Sequence, residues 1–139
     1  MSGPDPRPLL RTPAFLWAPV VFLMASIFVA SSIPDLGGLP GGMSDTSGHG
    51  LGYALLGAAL LRALARGRLS GVTWPRAAAA VALATLYGAS DEFHQSFVPG
   101  RSPDALDVFA DFLGAAFAVA LAGAARACGI LKRSLHSRP

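Results

Sequence analysis

Residues Thr12 to Pro34 form a run of 23 residues without Asp, Glu, Lys or Arg. A helix needs about 20 residues, at about 1.5 Å each, to cross a hydrocarbon core of about 30 Å. This run meets that length unaided. Three further uncharged runs follow: Thr46–Leu61, Ala77–Ser90 and Phe112–Ala125. The last two cover only about 21 Å each at helical rise, so they span only if their helices extend into polar flanks. His49 then falls in the second helix, Asp91 and Glu92 in the third, and Asp107 and Asp111 in the fourth. The pattern predicts an all-α, four-transmembrane-helix bundle with spans near 13–33, 45–65, 76–97 and 105–125. Composition agrees. Charged residues make up 14% of the 139, against about 25% in soluble domains, and mean hydropathy is +0.50. A soluble chain this small needs more polar surface than that. Re-entrant or buried core helices are the alternative for the short runs, but no soluble remainder exists to bury them.

Charge placement predicts the orientation. Arg7 and Arg11 precede the first span. Arg62, Arg66, Arg68 and Arg76 lie between the second and third, and Arg126, Lys132, Arg133 and Arg138 follow the fourth. Only Arg101 falls on the other side. The positive-inside rule then puts both termini in the cytoplasm. Residues 1–12 read as a cytoplasmic tail, 13–125 as the membrane domain and 126–139 as a basic cytoplasmic tail. The expected location is the plasma membrane, multi-pass, with the lipid bilayer as the obligate partner. Span one also has the outline of a signal peptide, with Ala30-Ser31-Ser32 as a cleavage site, although its apolar stretch is long for one. The basic residues flank apolar spans rather than cover a polar domain, so nucleic acid is excluded as a partner. The single cysteine, Cys128, excludes an internal disulfide and a zinc cluster built on cysteines. Leu36–Gly42 reads as a flexible outer loop, Pro99-Gly100 as the stop of helix three, and Ser102-Pro103 as the N-cap and first turn of helix four. Gly48 with Gly52, and Gly114 with Ala118, offer small-residue faces for close helix packing.

Seven of the eight acids lie at or near the outer face. Asp45, His49 and Tyr53 recur every four residues, on one helical stripe. Asp45 alone reads equally well as an N-cap, but His49 lies a turn into a span, where an ionisable group is costly to keep. In Tyr87-Gly-Ala-Ser-Asp91-Glu92-Phe-His94-Gln95, Asp91 and Gln95 share a stripe with Tyr87. Two adjacent carboxylates near a helix C-terminus oppose the macrodipole and need a partner. Solvent is the bland choice and Arg101 the sharper one. His94 points away from that stripe and reads as interfacial. Asp104, Asp107 and Asp111 share one face of helix four. Asp104 suits a first-turn acid, whereas Asp111 lies about 9 Å along the axis and must be paired, protonated or wet. Helix one carries no ionisable group and reads as packing, with Ser31 and Ser32 able to rim a pocket.

These residues resemble the VanZ-like family of small membrane proteins. The family pattern places an Asp, a His and a Tyr on one helix, then Asp-Glu-x-x-Gln with Pro-Gly-Arg, then Asp-x-x-x-Asn-x-x-Gly. Here they are Asp45, His49 and Tyr53; Asp91, Glu92, Gln95, Pro99, Gly100 and Arg101; and Asp107, Asp111 and Gly114. Ser31-Ser32-Ile-Pro34 also fits. Thr46 stands where the family usually has Lys, and Asp111 where Asn is usual. The family takes its name from glycopeptide (teicoplanin) resistance, so the resemblance implies a cell-envelope ligand and a possible link to that phenotype. It implies a fold and a site more firmly than a reaction.

Three readings stand side by side. An enzyme would act on a lipid-linked or phosphorylated envelope substrate, with His49, Glu92 and Asp107 catalytic and Asp45, Tyr53, Asp91, Gln95, Arg101 and Asp111 binding. Arg101 suits a phosphate or carboxylate, His49 acid–base work, and the carboxylates Mg²⁺ or Ca²⁺. A non-catalytic binder would use the same groups to hold the ligand. A proton or ion carrier would use the intramembrane acids, but nothing ionisable lies in the inner half to continue a path. The sequence leaves the ligand, any metal or cofactor, and the oligomeric state open.

Overall fold

The computed structural model describes residues 12–34 and 44–136, with side chains to residue 129. The described residues form four α-helices and no strand: α1 (Pro13–Ser31), α2 (Asp45–Leu64), α3 (Trp74–Gln95) and α4 (Ala105–His136). A 3-10 turn, Leu69–Gly71, links α2 to α3. The predicted outer loop, Leu36–Gly42, lies outside the described residues.

Each helix start follows its local sequence. The Thr12 hydroxyl accepts the Phe15 N–H, and Pro13 occupies the first turn, where its missing donor costs nothing. Pro19 lies inside α1 and cannot donate to the Phe15 carbonyl. Arg62 of α2 reaches that carbonyl instead with a long bond of 3.5 Å, its guanidinium 5.3 Å from the Phe15 ring centroid. Ser44 caps α2, with Asp45 in the first turn. α2 ends through Arg66 and Gly67, both at positive φ, and Gly67 N–H returns to the Arg62 carbonyl. α4 corrects one expectation. Its cap is Asp104, whose carboxylate accepts the Leu106 N–H, not Ser102. The helix also continues past residue 125 to His136, because the segment holds no proline and one glycine does not stop it.

α2 touches all three other helices, and its most extensive interface is with α4. Small residues set that closeness. A Cβ on Gly57 would lie 2.8 Å from Ala115 Cα, and one on Gly114 would collide with the Gly50 backbone. On α2 the close approaches are made at Gly50 and Gly57, whereas Gly52, expected on the small-residue face, has open space around it. The core is Leu16 and Val20 of α1, Tyr53, Leu56 and Leu60 of α2, Ala80 and Ala84 of α3, and Ala115 and Val119 of α4.

The outside is apolar too. Phe22, Trp74, Leu86 and Phe117 are each more than 60% exposed, and α2 exposes Leu51 and Leu55 by more than half. A surface like this is not that of a water-soluble monomer. Within the described residues, α1 and α4 are long and apolar enough to cross a membrane, with mean hydropathies of 2.1 and 1.9.

Candidate functional site

Contacts between distant residues show which helix ends meet. The C-terminus of α1, the N-terminus of α2, the C-terminus of α3 and the N-terminus of α4 converge, and at this end lie all the buried polar side chains among the described residues: Ser31, Asp91, Glu92, Gln95, Asp107 and Asp111. At the other end Arg62 reaches α1 and Arg126 donates to the Val72 carbonyl.

His49 is the centre of the cluster. Its Nδ1 lies 3.1 Å from Asp111 Oδ1, and its Nε2 lies 3.6 Å from Glu92 Oε1. The i, i+4 step from His49 to Tyr53 stacks their rings nearly parallel, 6.1 Å apart. Asp111 is wholly buried, and glycine makes room for it. A Cβ on Gly88 of α3 would lie 3.0 Å from the Asp111 carboxyl carbon. Gly88 was therefore a site residue that the sequence reading missed. Its signal was a lone glycine inside a helix, which costs about 1 kcal/mol against alanine unless packing needs it.

Asp91 and Glu92 are both buried, but their partners differ from the expected one. Asp91 Oδ2 accepts from Ser31 Oγ at 2.7 Å and weakly from Gln95 Nε2 at 3.4 Å. Glu92 Oε1 accepts from Gln95 Nε2 at 2.8 Å, and Oε2 accepts the backbone N–H of Asp104 at 2.7 Å. Arg101 does not pair with either. Its Nη1 bonds Asp45 Oδ2 at 2.6 Å, because the chain from residue 96 to 104 carries it across to the start of α2. Asp107 is buried, and its charge bears on both His49 and Glu92.

α1 is therefore more than packing: Ser31 reaches into the cluster. His94 is not idle either. Its Nε2 lies 3.0 Å from Ser32 Oγ, and its ring stacks on Phe28 at 4.4 Å, so it ties α3 to α1 beside the site.

Nine residues were expected at the site: Asp45, His49, Tyr53, Asp91, Glu92, Gln95, Arg101, Asp107 and Asp111. All nine lie at this one end. A cavity of about 90 Å³ opens among Ser31, Asp45, His49, Tyr53, Asp91 and Arg101. That is room for an ion with some waters, or for one small anionic group. Five buried side-chain atoms at this end of the helices have no hydrogen-bond partner: Tyr53 Oη, Asp91 Oδ1, Arg101 Nε, Asp107 Oδ1 and Asp111 Oδ2. Native interiors leave few such atoms. A larger groove between α3 and α4, lined by Trp74, Ala77, Val81, Phe112, Ala116 and Val119, has no ionisable lining.

Residues 48–126 match the family model described as VanZ/LLP1. The matched stretch contains His49, Asp91, Glu92, Gln95, Arg101, Asp107 and Asp111, and leaves Ser31 and Asp45 outside. No curated protein and no solved structure matches the chain.

Proposed function

The chain belongs to the VanZ/LLP1 family, and from that premise we propose that it is a multi-pass plasma-membrane protein that binds, through an outward-facing pocket, a lipid-linked or phosphorylated component of the cell envelope. On this reading all four helices span as one bundle, 13–125 is the membrane domain, and both termini are cytoplasmic. The end that gathers the acids faces outward, and Arg62, Arg66, Arg68, Arg76 and Arg126 face the cytoplasm.

One observation carries the choice of ligand. Arg101 lines the cavity beside His49 and Asp91; one of its nitrogens holds Asp45, while its buried Nε has no partner. A guanidinium with uncommitted donors in a partly enclosed pocket is a receptor for phosphate or carboxylate. Behind it, His49, Glu92 and Asp107 form the working end, and Tyr53, Asp91, Gln95 and Asp111 position them. Asp111 on Nδ1 fixes the imidazole with Nε2 toward Glu92, as either proton transfer or ligation requires. Conduction is disfavoured, because the buried polar residues all lie at one end and no buried acid continues the path among the described residues.

The test is mass spectrometry of lipids that copurify with the wild type, Arg101→Gln and Asp107→Asn. A phosphorylated lipid enriched on the wild type and lost from Arg101→Gln supports the reading; identical lipid profiles refute it. Turnover of that lipid by purified protein separates an enzyme from a binder. Teicoplanin susceptibility of cells expressing each form reads the resistance link, with a shift expected for the wild type only.

A further inference from the structure

We propose that His49, Asp91 and Glu92 hold a divalent transition-metal ion, Zn²⁺ or Mn²⁺, at the floor of the pocket. The inference deepens the proposed function by assigning His49 as a ligand.

The donors converge. One ligand atom from each of His49, Asp91 and Glu92 lies within 4.8 Å of the others; the two acids are buried and the His49 side chain is 9% exposed. Two donors about 2.1 Å from a metal and 3.6 Å apart, as are His49 Nε2 and Glu92 Oε1, subtend about 120° at it. That angle fits a tetrahedral or five-coordinate centre without moving either residue.

The surrounding contacts prepare the same three groups. Asp111 takes His49 Nδ1, which leaves the Nε2 lone pair toward Glu92. A carboxylate behind a ligating imidazole is the usual outer partner of a metal-bound histidine. Ser31 and Gln95 occupy Asp91 Oδ2, and Asp91 Oδ1 is left buried with no protein partner. Asp91 is 3% exposed and lines the cavity, so this oxygen is an unmet acceptor at the pocket, independent of the spacing.

Charge points the same way. Asp91, Glu92, Asp107 and Asp111 are all buried; His49 can offset at most one of these charges, and Arg101 pairs through Nη1 with Asp45 rather than with any of them. Buried acids without countercharge are costly in a membrane, and a divalent ion supplies the missing charge. The imidazole selects against Mg²⁺ and Ca²⁺, which prefer all-oxygen sites, and toward Zn²⁺, while the two carboxylates admit Mn²⁺.

The experiment uses full-length protein in nanodiscs, carrying Cys128→Ser so that the lone thiol cannot bind metal. Protein stripped with EDTA is reloaded with Zn²⁺ or Mn²⁺ and desalted, and bound metal is counted by plasma mass spectrometry. About one ion per chain is expected, falling to background in His49→Ala and Asp91→Asn, with affinity about 10–100-fold weaker in Asp111→Asn. Circular dichroism and gel-filtration profiles matching the parent show that the variants are folded. If the parent, which has every donor intact, retains no ion, the proposal is overturned; so it is if folded His49→Ala and Asp91→Asn retain as much as the parent. The lipid experiment reads separately. Metal loss with lipid binding intact sinks only the metal site, and metal binding without any enriched lipid sinks only the envelope-ligand reading.

Discussion

Replacing Gly88 by alanine is a direct probe of how the buried acid is seated. In an open helix position the change stabilises by about 1 kcal/mol. Here the new methyl would fall on the Asp111 carboxylate, 3.0 Å from its carbon and 3.1 Å from its Cβ. Asp111 must swing away or the α3–α4 interface must open. Overpacking costs about 1–3 kcal/mol, and losing a hydrogen bond to a charged group about 1.5–3 kcal/mol. After the helix gain, the net loss is about 1.5–5 kcal/mol. Gly123→Ala is the control, because a Cβ there meets nothing within 4 Å.

Thermal unfolding in detergent is the assay, repeated in an Asp111→Ala background. Gly88→Ala should melt well below the wild type, and Gly123→Ala at or above it. With the carboxylate gone, most of the Gly88→Ala penalty should vanish, a coupling of at least about 1 kcal/mol. If Gly88→Ala melts like Gly123→Ala, or costs the same with and without Asp111, the carboxylate is not wedged against α3. The pairing of Asp111 with His49 would then lose its geometric basis.

Three further outcomes are expected. Asp107→Asn keeps the shape of a side chain whose Oδ1 has no partner; its melting temperature should equal or exceed the wild type while complementation is lost, and a large melting loss would make Asp107 structural. Glu92→Gln should be destabilised by about 1–3 kcal/mol, because an amide offers one acceptor oxygen where the carboxylate now serves Gln95 and the Asp104 N–H; unchanged melting would contradict those bonds. Finally, with Cys128 removed, a cysteine at exposed Ser102 should react with an impermeant maleimide from outside, and one at exposed Ser70 only after permeabilisation; the opposite pattern inverts the proposed orientation.

The helices were legible because charge is excluded from long runs of this chain, and the stripes because four-residue steps keep Asp45, His49 and Tyr53 on one face. What stayed hidden depends on contacts between elements. The choice of Asp45 over Glu92 as the partner of Arg101 is made by the path of residues 96–104, and no residue type announces that path. Glu92 is satisfied by a backbone N–H, which has no sequence signature. His94 read as interfacial because its contacts, Ser32 and Phe28, come from another segment of the chain.

Ser31 bears on the fate of α1 itself. A serine in an apolar helix ordinarily bonds the carbonyl four residues back, and Ser31 does contact Ile27 in that way, yet the same hydroxyl is 2.7 Å from Asp91. Cleavage of the first helix as a signal peptide would take this donor from a buried carboxylate. It would also remove Leu16 and Val20 from the buried core. The site as it stands draws on the C-terminus of α1 as well as on the three polar helices, which is what the proposed four-span reading requires of the first helix. Its lack of ionisable residues fits a wall that meets the buried acids through the Ser31 hydroxyl.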